Sequence, residues 1–145
     1  MPDPIPDPAA HSGRRGAVAI IVRQERLLVI RRSDGVIAPR AFCFPGGGLE
    51  GDESEPEALA RELREELNAV IRPIRCLWRS VTPWGVALAW WLSDLESDAP
   101  LVPNPAEVES ILWCTPEEMA RLPGLLPSNR DFLRTLENGQ FDLGT

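Results

Sequence analysis

The sequence predicts an α/β fold: a single-domain α/β/α sandwich built on a mixed sheet. One observation behind this is the order of apolar runs, which reads strand, strand, short strand, helix, hairpin, strand and two helices. A second is size, since 145 residues of which 43 % are hydrophobic suit one domain with a core of its own. The third is a helix in which Leu59, Leu63 and Leu67 recur every fourth residue, a stripe suited to facing a core. On this reading residues 14–140 form the domain, 1–13 a flexible Pro-rich arm and 141–145 a tail.

In chain order, the arm carries Pro at positions 2, 4, 6 and 8 and the only histidine, His11. It has no apolar segment, so it is neither signal peptide nor membrane span, and its prolines favour an extended, mobile backbone. Residues 17–22 and 27–30 are apolar runs split by Gln24 and Glu25, which predicts two buried, tightly joined strands. A loop over 33–40 leads to a short strand at Phe42, Cys43 and Phe44, then to Pro45 and a run of glycines. Ser54 and Glu57 form a capping box and Pro56 suits a first turn, so a helix begins near Glu55. Residues 70–80 and 86–92 flank the turn Thr82-Pro83-Trp84-Gly85 and read as a hairpin. An acidic, Pro-rich loop over 94–107 precedes a strand ending at Trp113. Thr115 and Glu118 make a second capping box, and Ser128 is the expected cap of a last helix that stops at Gly139.

A net charge of -7 with no basic cluster argues against duplex nucleic acid or an anionic membrane as partner, and leaves small phosphate ligands open. Cys43, Cys76 and Cys114 are odd in number, lack paired spacing and have no His partners for zinc. They predict reduced, small buried fillers and a cytoplasmic chain. Arg31 and Arg32 close the second strand and could reach a substrate phosphate, pairing with Asp34 being the plainer role. In a chain without Tyr, Trp84 at a turn tip is the tryptophan least explained by packing, hence a candidate to stack on a base.

The helix near Glu55 demands a chemical explanation. Glu62, Glu65 and Glu66 fall within an arc of about 100° beside the leucine stripe, and Glu55 projects onto the same arc. Such charges repel by a few tenths of a kcal/mol per pair, and the chain has no Lys to relieve them. An acidic helix face is usually only solvated. Here, however, Pro45, Gly46, Gly47 and Gly48 precede it, a backbone able to lie close to a ligand and turn N–H groups toward phosphate. A hard cation, Mg2+ or in its place Mn2+, would bridge Glu62 and Glu66 across one helical turn.

Together these residues match G-x5-E-x7-R-E-U-x-E-E-x-G-U, with U aliphatic. Gly47, Glu53, Arg61, Glu62, Leu63, Glu65, Glu66 and Ala69 fall in register, and the stretch resembles the Nudix hydrolases, the MutT-like pyrophosphohydrolases. Asn68 stands where the family has Gly, and Asn is the next most tolerant residue of the left-handed backbone expected at this C-cap. The resemblance covers 23 of 145 residues. It implies a Mg2+-dependent hydrolase that cleaves a phosphoanhydride in a nucleoside diphosphate linked to another moiety. Glu62, Glu66 and Glu65 would hold metal beside the Gly47 backbone. Glu65 or Glu107 would handle the proton, with Glu109 replacing Glu107 if the loop shifts by two. Arg61 would pair with Glu53 or a metal-binding Glu, and Phe42, Gly46 and Gly47 would line the substrate pocket. ADP-ribose hydrolases of the family carry a Pro within one residue of the place Pro83 occupies, which leans toward ADP-ribose or a nucleotide sugar. A nucleoside triphosphate is the alternative substrate, and a non-catalytic nucleotide-binding or regulatory module the alternative function. A homodimer is implied only by family habit, because no segment specifies an interface.

Overall fold

The computed structural model of the chain describes residues 14–144, so the arm and His11 lie outside the described residues. The elements run β1 (Arg15–Arg23), β2 (Arg26–Arg32), β3 (Phe42–Cys43), β4 (Gly46–Gly48), α1 (Glu55–Leu67), β5 (Ile71–Val81), β6 (Ala87–Leu95), β7 (Val108–Cys114), α2 (Pro116–Ala120) and α3 (Pro127–Glu137). The sheet order is β3-β2-β1-β6-β5, with β4 added to β1 and β7 to β2. β1 and β6 are parallel and the other pairs antiparallel, which makes the sheet mixed.

β1 and β2 explain why their sequences are continuously apolar. Ala17, Ala19 and Ile21, with Leu28 and Ile30, face Leu59, Leu63 and Leu67 of α1. Ile20, Leu27 and Val29 face Met119, Phe132 and Leu133 of α2 and α3 on the other side. Strands buried on both faces lose the alternation that a half-exposed strand shows. The tight turn between them passes through Gln24 (φ 52) and Glu25 (φ 65), after which direct pairing is limited to Val22↔Leu27 and Arg23↔Arg26. Beyond that turn the strands diverge, β1 to β4 and β6, β2 to β3 and β7.

On the α3 side, Trp90 stacks on Phe132 at 5.0 Å, and its indole N–H donates to Ser80 Oγ at 2.9 Å. Phe141 packs 4.9 Å from Phe132, and Arg75 donates to the Asp142 carbonyl at 3.1 Å, so the segment read as a tail is held against the core. Ser128 does not cap α3. Pro127 opens the helix behind Leu126, which makes no side-chain capping bond, because its ring already fixes a helical φ and needs no N–H partner.

Glu55 also departs from expectation. It lies on the angular face of Glu62, but seven residues earlier, and the rise of about 10 Å carries it to the opposite end of α1. There its buried carboxylate accepts from Arg79 at 2.7 and 3.0 Å, Arg15 at 3.2 Å and Trp91 Nε1 at 3.0 Å. The Arg79 guanidinium leads in holding this carboxyl down at about 2, against burial, which raises it. Four elements are thereby tied at one point. Replacing Glu55 by Ala should cost about 2 kcal/mol at neutral pH. The group's stabilisation is present above its ordinary value of 4.5 and lost as pH falls toward 2, so thermal melts of wild type and variant should converge in acid. A gap that persists unchanged at low pH would contradict this role.

Candidate active site

The site is built where the C-terminal half of α1 meets β4. Gly46 pairs with Val18 and Gly47 with Ala17, so the stretch read as an open glycine loop is a short strand. The Gly46 N–H is not free for phosphate; it donates to Glu66 Oε1 at 3.0 Å. Gly47 is required for space, since a Cβ there would overlap the Glu62 carboxylate. Gly46 has φ +152, and a Cβ on it would collide with the Ala17 carbonyl. Two glycines thus let the backbone lie directly against the acids of the helix.

The loop before β7 brings the third acid. Asn68 ends α1 at φ 53, ψ 33, the left-handed conformation expected for this position. Its side chain adds what a glycine could not, a bond from Nδ2 to the Val102 carbonyl at 2.8 Å. The Val102 and Asn104 N–H groups donate to the carbonyls of Leu67 and Glu66 at 2.9 and 2.8 Å, covering groups the helix end leaves unpaired. The Ser33 N–H donates to the Glu107 carbonyl at 3.1 Å, holding the loop from the β2 side. With the loop fixed, Glu62, Glu66 and Glu107 each present an oxygen within 4.8 Å of the others.

Glu66 is buried, and Glu62 and Glu107 are partly so. Burial pushes the Glu62 carboxyl up to about 7, opposed by Arg61 and reinforced by Glu65 and Glu107. Burial likewise raises Glu66 to about 8, aided by Glu62 and opposed by the Gly46 N–H. Carboxylates this close and this dry need a positive charge to stay ionised together. An all-oxygen donor set of this kind fits a hard divalent cation such as Mg2+.

Glu65 stands outside this trio, half-exposed, with Arg61 at 3.3 Å. Arg61 holds both oxygens of Glu53 at 2.7 and 3.0 Å, donates to the Gly48 carbonyl at 2.9 Å and reaches Glu62 at 3.2 Å. Arg61 thus eases the acidic face on the side of Glu62 and Glu65. Its bonds also hold the Glu53 carboxyl below its ordinary range. Arg31 lies over the Phe42 ring at 5.1 Å and pairs with Glu109 at 3.4 Å, while Asp34 faces Arg40 at 3.7 Å. The expected Arg31–Asp34 pairing is therefore replaced, because β2 and β7 are neighbours and set Arg31 opposite Ser110, beside Glu109. Glu109 is also bonded to Arg40 at 2.8 Å and is not part of the acid cluster. Arg32 donates to the Ile37 carbonyl at 2.7 Å. Trp84 is half-buried in the β5–β6 turn, three residues before Ala87, whose N–H donates to the Arg14 carbonyl at 3.0 Å. A cavity of about 390 Å³ between α2 and α3, walled by Ala120, Leu133 and Leu136, includes none of Glu62, Glu66 and Glu107. All three cysteines are free, and burial raises the Cys43 thiol to about 11. No helix among the described residues is long and apolar enough to cross a membrane.

The residue that sequence reasoning missed is Asn104, whose Asn-Pro dipeptide signals a turn but not a contact with Glu107 at 3.3 Å. A family model described as NUDIX domain matches residues 13–136, the strands, α1 and the acid cluster included. The chain belongs to the Nudix family. It is 33% identical over 109 residues to the CTP pyrophosphohydrolase of Escherichia coli (strain K12), covering 72% of this chain and 78% of that one. A Nudix hydrolase of Deinococcus radiodurans is 33% identical over 127 residues, 78% of this chain and 70% of the relative. The crystal structure of DR0079 from Deinococcus radiodurans superposes with a TM-score of 0.70 at 29% identity, covering 88% of this chain and 86% of that chain. The protein is thus a Nudix-type hydrolase with the mixed sheet and flanking helices of its relatives.

The raised carboxyls set a pH dependence. Folded protein keeps protons on Glu62 and Glu66 that the unfolded chain releases near 4.5, so metal-free protein should lose stability as pH rises from 4.5 toward 8. Melting temperature should fall by several degrees across that window, and Mn2+ should restore more at its upper end than at its lower. A melting temperature indifferent to pH there, with equal stabilisation by Mn2+ throughout, would contradict the assignment.

Proposed function

We propose that this Nudix-type hydrolase cleaves a phosphoanhydride bond in a nucleoside diphosphate linked to another moiety, with a divalent cation at Glu62 and Glu66. The observation that carries the reading is the convergence of Glu62, Glu66 and Glu107 within 4.8 Å, against a strand whose glycines leave room for them. A divalent cation bound there would supply charge neutralisation for the diphosphate and acidity to a water for attack on phosphorus. Glu62 and Glu66 would contribute the oxygens that hold it, and Arg61 fixes the Glu62 carboxylate from the side at 3.2 Å. Glu107 takes the proton of the attacking water, since it reaches the cluster while Glu65 turns to Arg61. Arg32 adds positive charge on the side of Glu66, whereas Phe42, with Arg31 over its ring, packs against the α2–α3 core on the other side of the sheet.

Two substrate classes have specific support. The E. coli relative is named a CTP pyrophosphohydrolase, which supports a nucleoside triphosphate. The spacing of Pro83, at the tip of the β5–β6 hairpin, supports ADP-ribose or a nucleotide sugar. A Mg2+-dependent screen of CTP and other triphosphates, ADP-ribose and nucleotide sugars, reading released pyrophosphate, phosphate or nucleoside monophosphate, separates them. Glu62→Gln and Glu66→Gln should each lower kcat by about two to three orders of magnitude while the fold is kept. Nearly full activity in Glu62→Gln would overturn the metal assignment, and nucleotide binding without any turnover would favour a binding module.

A further inference from the structure

The acid cluster spans two unconnected parts of the chain, and one residue joins them. The Asn104 N–H donates to the Glu66 carbonyl at 2.8 Å, and its own carbonyl accepts from Glu107 and Val108 at 2.9 and 2.7 Å. Its Oδ1 accepts the Ala106 N–H at 3.1 Å, closing a turn. Its Nδ2 donates to Glu107 Oε2 at 3.3 Å, the one hydrogen bond to that carboxylate among the described residues.

We propose that Asn104 is a positioning residue: its side-chain amide aims the Glu107 carboxylate at Glu62 and Glu66. The inference rests on the proton-accepting role given to Glu107 above. A glutamate on a loop has three rotatable bonds and loses rotamer freedom when held. Here two other carboxyl groups crowd the position it occupies, and no arginine stands within ion-pair distance of it among the described residues. The amide supplies the one side-chain hydrogen bond that holds the carboxylate there. Because the same residue is bonded to the last turn of α1, Glu107 is set relative to Glu66 rather than relative to the loop. The motif residues alone do not fix this distance.

Oδ1 and Nδ2 do different work, which makes the inference separable from a mere turn-forming role. Asn104→Asp keeps the acceptor for Ala106 but turns the donor to Glu107 into a like charge, Asn104→Ser keeps an acceptor without adding charge, and Asn104→Ala removes both donor and acceptor. With CTP and ADP-ribose as substrates and Mg2+ present, Asn104→Asp should lower kcat about tenfold with KM within twofold. In crystals of the metal-free variant, the Glu107 oxygens should lie beyond 4.8 Å from those of Glu62 and Glu66. An Asp variant with wild-type kcat and Glu107 in place would overturn the inference, above all if Asn104→Ala is impaired. Should the Asp variant unfold, Asn104→Ser asks the same question, since its hydroxyl accepts from Ala106 but is too short to reach Glu107. Glu107→Gln separates the two readings: wild-type kcat there overturns the role of Glu107 itself, whereas a loss there beside an unaffected Asn104→Asp overturns only the positioning by Asn104.

Discussion

Everything in the site depends on how closely α1 approaches the backbone of β4. The helix presses two glutamates against a strand without side chains, and neither partner tolerates a change in the other. A Cβ at Gly47 would occupy the space of the Glu62 carboxylate, and the Gly46 N–H is the donor that meets Glu66. Leu59, Leu63 and Leu67 set the distance from below by packing on Ala17, Ala19 and Ile21, where small residues on β1 let the helix sit low. The apolar stripe and the acidic face are therefore two sides of one constraint.

Both ends of α1 are fastened, by unlike means. At the start, Glu55 gathers Arg79, Arg15 and Trp91 from three strands around one carboxylate. At the end, Asn68, Val102 and Asn104 tie the last carbonyls and the left-handed cap to the loop that carries Glu107. A helix pinned at both ends cannot turn about its axis, so crowded acids keep their positions despite mutual repulsion. Arg61 completes the arrangement by drawing Glu53, Glu62 and the Gly48 carbonyl to one guanidinium.

What could be read from the sequence was whatever depends on local repetition. The capping box of Ser54 and Glu57, the leucine stripe and the left-handed Asn68 follow from helical geometry, and the structure contains each. Glu62 and Glu66 could be paired because one turn separates them. The same reasoning misplaced Glu55, because a helical projection records angle and discards the rise along the axis. Glycines suggested a loop because their own strand propensity is low, whereas pairing with β1 made them a strand. The partner of Arg31 needed knowledge that β2 lies beside β7, and nothing local gives strand order. Asn104 was invisible for a related reason: it acts on Glu107, which sequence treats as an independent candidate.

With Glu66 buried and Glu62 partly so against a glycine strand, a divalent cation is expected to displace protons from them on binding. Calorimetric titration of Mn2+ near pH 7, repeated in buffers of different ionisation enthalpy, measures that exchange directly. The account predicts binding with net proton release that diminishes when Glu66 is replaced by Gln. Binding with no proton release, or release unaltered by that replacement, would contradict it.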